Sequence, residues 1–302
     1  MKIKLFSALF LFLFSFHASA LSVPVIVKSQ WLKQHLGEKN LSIIEFSDSV
    51  DFTFNGHIPG SVGTNKSDWR FEDKDGSLVH YPVDVLVKKL RQLGINQGDA
   101  VVIYYKGNNT DEVLGAVYLF WLFHYLGHTN VGVLDEGWFG WKRSGGQTES
   151  REVNIKPGNF TARPLKALEI ETLELNKIRK NYLLVDGRPS THFQGLTKFD
   201  ANPRYGRIPG AVSQPWQDYM RKDEKTGLVY AKAPKIPALL AAKRIDPDTP
   251  ILLTCLGGTG SAFNYLMFYQ AGYHNLRVHD AAMRRWNNLR LPLIKTNVHG
   301  KK

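Results

Sequence analysis

The chain has 302 residues, 43% of them hydrophobic, and carries a single cysteine, Cys255. Its net charge of +12 comes from 39 basic against 27 acidic residues. The basic residues are scattered, with Lys301-Lys302 the only terminal pair, which favours attraction of small anions and speaks against nucleic acid as a partner. One cysteine excludes an internal disulfide, so Cys255 is either an inert buried thiol or a reactive one.

In chain order, the first segment is a leader. Lys2 and Lys4 form a basic start, Leu5 to Phe16 an apolar run too short for an ordinary membrane span, and Ala18-Ser19-Ala20 a small-residue cleavage site. These features predict cleavage after Ala20 and an exported protein, periplasmic or secreted, with no stable membrane insertion afterwards.

The chain from Leu21 onward is long enough for two domains. Leu41 to Phe46 reads as a buried strand and leads to Gly56-His57-Ile58-Pro59-Gly60-Ser61. Ala100 to Tyr105 reads as a second strand, succeeded by a helix-length stretch that stops at Gly127. A third strand over 130–134 precedes Trp141. Residues 151–164, which contain Pro157-Gly158, read as a linker.

The same series then returns. A strand over 182–186 leads to Gly206-Arg207-Ile208-Pro209-Gly210-Ala211; a strand over 251–255 leads to a helix ending at Gly272; a strand over 276–280 precedes Trp286. Strands alternating with helices predict α/β domains, each a mainly parallel sheet flanked by helices. The expected boundaries are 21–150 and 165–302. Counting back from Gly127 as from Gly272 to Cys255 places Thr110 where the first half lacks a cysteine.

The chemistry concentrates in one segment. An apolar strand ends at Cys255, and Leu256-Gly257-Gly258-Thr259-Gly260 come next, before a helix over 262–271. Such a loop curls its backbone N–H groups inward, and the helix adds its positive end. A thiol placed there is held toward the thiolate and suits anionic ligands. The bland alternative is a buried cysteine on a connecting turn. No metal or organic cofactor is implied, since there is no Cys/His ligand spacing, P-loop or dinucleotide motif.

These features resemble the tandem-domain rhodanese and 3-mercaptopyruvate sulfurtransferase family. Cys255 to Gly260, CLGGTG, matches the family's C-x-x-G-x-x loop; Asp186-Gly187-Arg188 resembles its D-x-R; GHIPGS and GRIPGA resemble its G-[HR]-I-x-G-[AS] segments. The resemblance covers residues 29–293 and implies two tandem rhodanese-like domains, the first catalytically silent. It further implies sulfur transfer through a Cys255 persulfide, from an anionic donor (thiosulfate or 3-mercaptopyruvate) to cyanide or a thiol. Leu256, Gly257, Gly258, Thr259 and Gly260 would line the substrate, with Arg188, Arg284 and Arg285 as candidate substrate-binding side chains; Asp186 and Arg188 would also brace the site through a buried or half-buried ion pair.

Two departures bear on the donor. Leu256 and Gly257 are neutral where thiosulfate-specialised members carry basic residues, and His192 stands where they have an arginine. Thiosulfate is therefore expected to be the poorer donor, unless Arg204, Arg207, Arg284 or Arg285 supplies the charge. The alternative function is a non-enzymatic sulfur carrier or partner-binding module. A cysteine phosphatase is disfavoured because Ser261 stands where its loop needs arginine, and a disulfide oxidoreductase because no second cysteine exists.

Overall fold

A computed structural model describes residues 21–150, 153–200 and 203–296. The predicted leader and the last six residues lie outside the described residues, so the expected cleavage site does too.

The first domain runs β1 (Ile26–Val27), α1 (Ser29–His35), β2 (Leu41–Phe46), α2 (Ser49–Phe54) and β3 (Ser61–Thr64). A hairpin of β4 (Arg70–Glu72) and β5 (Leu78–His80) comes next, then α3 (Val83–Gln92) and β6 (Ala100–Tyr105). It closes with α4 (Thr110–Tyr125), β7 (Val131–Leu134) and α5 (Gly137–Arg143). The second domain repeats the plan with α6 (Thr172–Ile178), β8 (Leu183–Asp186), α7 (Ser190–Gln194) and β9 (Val212–Ser213). Its hairpin is β10 (Met220–Lys222) and β11 (Val229–Ala231), succeeded by α8 (Ala238–Lys243), β12 (Ile251–Thr254) and α9 (Thr259–Tyr269). β13 (Leu276–Val278) and α10 (Ala282–Asn288) end it.

Each domain holds a parallel sheet, in the order β1-β7-β6-β2-β3 in the first and β13-β12-β8-β9 in the second. All six residues of β6 and all four of β12 are buried, as central strands covered on both faces require. The repeat extends to single hydrogen bonds. The Ile-Pro-Gly turn closes identically, from the Ser61 N–H to the Ile58 carbonyl at 3.0 Å and from Ala211 to Ile208 at 3.1 Å. Trp141 and Trp286 are both fully buried, their indole N–H groups donating to the carbonyls of Gln147 and Pro292.

The two domains share one core. Helices α4 and α9 pack side by side, and both are buried almost all round, which is the position that accounts for their lack of a polar face. His124 Nδ1 lies 2.9 Å from the Tyr265 hydroxyl across this seam, and a continuous apolar cluster runs from Ile44 to Val278. Residues 158–165, within and just after the expected linker, lie along the first domain. Phe160 is fully buried against Phe123 and His128, and the Arg163 and Leu165 N–H groups donate to Leu126 and Tyr125.

The hairpins are exchanged between domains. β4–β5 of the first lies over the loop after β12, and β10–β11 of the second lies over the loop after β6. The Val229 N–H donates to the Gly107 carbonyl at 2.7 Å, and the Ala231 N–H to the Tyr105 hydroxyl at 2.8 Å.

Candidate active site

The end of β12 delivers Cys255 to the carboxyl edge of its sheet, the usual location of sites in open α/β sheets. Cys255 is 2% exposed. Its Sγ accepts a hydrogen bond from the Gly258 N–H at 3.1 Å. Gly258 has φ +92°, and a side chain there would meet the Asp280 carbonyl at 2.5 Å, so only glycine fits. A Cβ on Gly260 would lie 2.6 Å from the Trp216 ring and 3.2 Å from the Cys255 Cβ. Gly257 is not constrained in this way. The loop is anchored from behind by α10, whose Met283 and Arg284 N–H groups donate to the Cys255 and Leu256 carbonyls. Leu256, Gly257 and Thr259 are half-buried, and α9 starts at Thr259 rather than near Ser261.

Of the expected substrate-binding arginines, one stays at the loop. A Cβ on Gly257 would lie 3.6 Å from Arg284 Nε, and that Nε is buried with no partner among the described residues. Arg285 is a correction: its Nε donates to Asp75 Oδ2 at 3.0 Å and its Nη2 to Asp73, on the turn of the β4–β5 hairpin. Arg284 Nη1 reaches the same turn, donating to the Gly76 carbonyl at 3.2 Å, so the two arginines differ in that Arg285 is held by carboxylates whereas Arg284 keeps its Nε at the loop without a partner among the described residues. Arg188 forms the expected bracing ion pair and is corrected only as a substrate-binding side chain. Its guanidinium forks onto the Asp186 carboxylate (2.7 Å from Nη2, 3.0 Å from Nε) and reaches the Gly206 carbonyl, with both side chains fully buried. Arg188 and Asp186 together tie β8 to the Ile-Pro-Gly turn. Arg207 is occupied with Phe193 and Thr296.

The cation that sequence reasoning missed is Arg70, from the first domain. Its Nη2 donates to the Gly257 carbonyl at 2.5 Å, the Leu78 carbonyl at 2.7 Å and Asp280 Oδ1 at 3.1 Å. The guanidinium lies over the Tyr118 ring, 4.4 Å from its centroid, and its Nε has no partner among the described residues. The Asp280 carboxylate also accepts from the Tyr118 hydroxyl at 2.9 Å and the His80 N–H at 2.8 Å.

His80 Nε2 sits 3.4 Å from Glu169 Oε2. Burial opposes the charged ring, but the Glu169 hydrogen bond and the carboxylates of Asp280 and Glu169 outweigh it and raise the His80 pKa to about 9. His80, Glu169 and Asp280 cluster closely enough to hold a metal ion. The Asp280 oxygens, however, are already taken by the Arg70, Tyr118 and His80 donors, so the cluster forms an ion-pair network between domains. A histidine with a folded value above its unfolded value of about 6.5 stabilises the fold fully below that pH. Its contribution is lost as the pH rises through about 9. The melting temperature is therefore expected to fall between about pH 6.5 and 9, and His80→Gln to remove that part of the dependence. An identical pH profile in the variant would refute the assignment.

The first domain has no comparable site among its described residues. The ladder partners Phe46 with Tyr105 and Asp186 with Thr254 align the strand ends, so the counterpart of Cys255 is Lys106 and not Thr110. Thr110 begins α4, which has 16 residues against 11 in α9, so counting back from the helix end misaligns the loops. Lys106 is buried with its Nζ on the Gly56 carbonyl and 3.8 Å from Glu45. The loop N–H groups of Gly107 and Asn108 donate to Glu112 Oε2 at 2.8 and 3.0 Å. An internal carboxylate thus occupies this loop's anion cradle.

A family model for the rhodanese-like domain matches twice, at residues 28–144 and 169–289. The chain belongs to the rhodanese-like family. It is 25% identical to the 3-mercaptopyruvate sulfurtransferase of Escherichia coli K12 over 88% of this chain and 96% of that one. It is 26% identical to the thiosulfate sulfurtransferase of Gallus gallus over 79% and 81%. The sulfur carrier protein TtuD of Thermus thermophilus is also 26% identical, over 88% and 94%. Among solved structures, the Escherichia coli 3-mercaptopyruvate sulfotransferase SseA superposes with a TM-score of 0.70 at 23% identity, covering 86% of this chain and 99% of that one. The anaerobic ergothioneine biosynthesis enzyme of Chlorobium limicola gives 0.74 at 18% identity, covering 90% and 70%. Both support the rhodanese fold that the resemblance implied.

Proposed function

We propose that the protein is a sulfurtransferase that carries sulfur as a persulfide on Cys255. The observation that carries this reading is a lone thiol receiving a backbone N–H, with the Arg284 guanidinium at the same loop and its buried Nε lacking a partner among the described residues. An unpartnered cationic donor beside a nucleophile fits an anionic sulfur donor. It also offsets the neutral loop, so both thiosulfate and 3-mercaptopyruvate are compatible with the site.

The chemistry is a double displacement. The Cys255 thiolate attacks the outer sulfur of thiosulfate, the S–S bond breaks, and sulfite departs with the electron pair. With 3-mercaptopyruvate the C–S bond breaks instead, and the departing enolate takes a proton to give pyruvate. Cyanide or a thiolate then attacks the outer sulfur of the persulfide and regenerates the Cys255 thiolate. The Gly258 N–H stabilises negative charge on the cysteine sulfur, and the first domain is silent as a nucleophile. Donor treatment should add one sulfur atom by intact mass, which cyanide removes; absence of the adduct with both donors would refute the reading.

The similarity to TtuD favours a second reading, a sulfur carrier loaded by a partner protein. Steady turnover with small donors and acceptors distinguishes the two. We also propose that the protein is exported. Intact mass of the exported form should begin at Leu21, and a full-length cytosolic product would sink the idea.

A further inference from the structure

Resting on the reading of Cys255 as the sulfur-carrying nucleophile, we propose that Arg70 of the first domain is a positioning residue for that sulfur. It acts through the peptide bond between Gly257 and Gly258. A trans peptide is planar, with its carbonyl and N–H pointing to opposite sides. Arg70 Nη2 holds the Gly257 carbonyl at 2.5 Å, and the N–H on the other side of the same plane reaches Cys255 Sγ at 3.1 Å. The arginine fixes which way that N–H points.

The plane needs such a clamp because glycine stands on both sides of it. Without Cβ atoms, rotation of a peptide plane meets little steric resistance. The rotated state would turn the Gly257 carbonyl toward the sulfur, repelling a thiolate or persulfide anion, and would remove the Gly258 N–H from it. Charge on the guanidinium also polarises the peptide and strengthens the N–H on its far side. The clamp itself is rigid. Arg70 is 3% exposed, held by the Leu78 carbonyl and the Asp280 carboxylate, and stacked on Tyr118. Its planar fork fixes direction in a way a lysine ammonium does not. A domain without its own cysteine thereby sets the reactivity of the cysteine in the other.

The test is the alkylation rate of Cys255 by iodoacetamide, measured across pH in the full chain carrying Arg70→Gln or Arg70→Lys. The loss of one charge-assisted hydrogen bond in Arg70→Gln should slow alkylation at neutral pH roughly tenfold and move the profile to higher pH. Arg70→Lys, which keeps the charge and one donor, should recover part of the loss. In sulfur transfer, kcat should fall while KM for the donor changes little, because the clamp acts on the sulfur and not on the donor. Unfolding curves check that the variants fold; if Arg70→Gln does not, Arg70→Lys keeps a cation opposite Asp280 and carries the same comparison. A folded variant with the wild-type alkylation rate and pH profile overturns the proposal. Alkylation needs no sulfur donor, so failure to form a persulfide would defeat the sulfur-transfer reading without affecting this measurement.

Discussion

Replacing Cys255 by serine is expected to lower sulfur transfer by several orders of magnitude while leaving the fold in place. The hydroxyl is close to isosteric with the thiol, and the Gly258 N–H that reaches Sγ at 3.1 Å can donate to oxygen instead. The change in stability should stay near 1 kcal/mol or below, about the scale of a single neutral hydrogen bond. Chemistry is different. Serine does not ionise near neutral pH and forms no persulfide, so the covalent route closes, and removal of a nucleophile that acts as one unit with its surroundings costs most of the rate. Cys255 is the only cysteine in the chain, so no neighbouring thiol can take over. Parallel measurement of turnover and of sulfur uptake by mass settles the matter. Residual turnover near the wild-type rate in Cys255→Ser would end the persulfide mechanism.

The parts of the site legible in the sequence are those whose causes are local. The strand before Cys255, the glycines after it and the two Ile-Pro-Gly turns are written within short segments, and the structure places them as read. Asp186 and Arg188 lie two residues apart, so their pairing comes from neighbourhood, although the sequence left Arg188 as a possible substrate ligand. What escaped depends on distance and on helical register. Arg70 and Gly257 are 187 positions apart, and nothing in the segment around Arg70 distinguishes it from a surface cation. The one signal was indirect: a loop with no basic residue of its own, in a chain whose halves repeat, invites a cation from the other half. Arg284 and Arg285 were indistinguishable as a pair, because both reach the β4–β5 turn and what separates them is that the carboxylates of Asp73 and Asp75, more than 200 positions away, engage Arg285. The extra length of α4 shifted the counterpart of Cys255 from Thr110 to Lys106, a displacement that no count from the helix end could detect.

Asp280→Ala should destabilise the protein by about 3–5 kcal/mol, the range for removing one partner of a buried ion pair. Asp280 is 1% exposed and belongs to the second domain, whereas three donors to it, the Arg70 guanidinium, the Tyr118 hydroxyl and the His80 N–H, belong to the first. Truncation leaves a guanidinium out of water with carbonyl oxygens and one aromatic face as its remaining company, and removes the acceptor of a buried tyrosine. For a chain of this size the loss corresponds to a fall of roughly 10 °C in melting temperature. The cost should come mainly from the stranded charge and less from the missing carboxylate. Adding Arg70→Met to Asp280→Ala is therefore expected to restore much of the stability, because a neutral side chain of similar length needs no counter-charge. The double variant should nonetheless remain slow in sulfur transfer, since the peptide between Gly257 and Gly258 has lost its clamp. A drop below about 1 kcal/mol in the single variant would place the pair among weak surface contacts. Failure of Arg70→Met to recover stability would show that the carboxylate itself, through Tyr118 and His80, holds the two domains together.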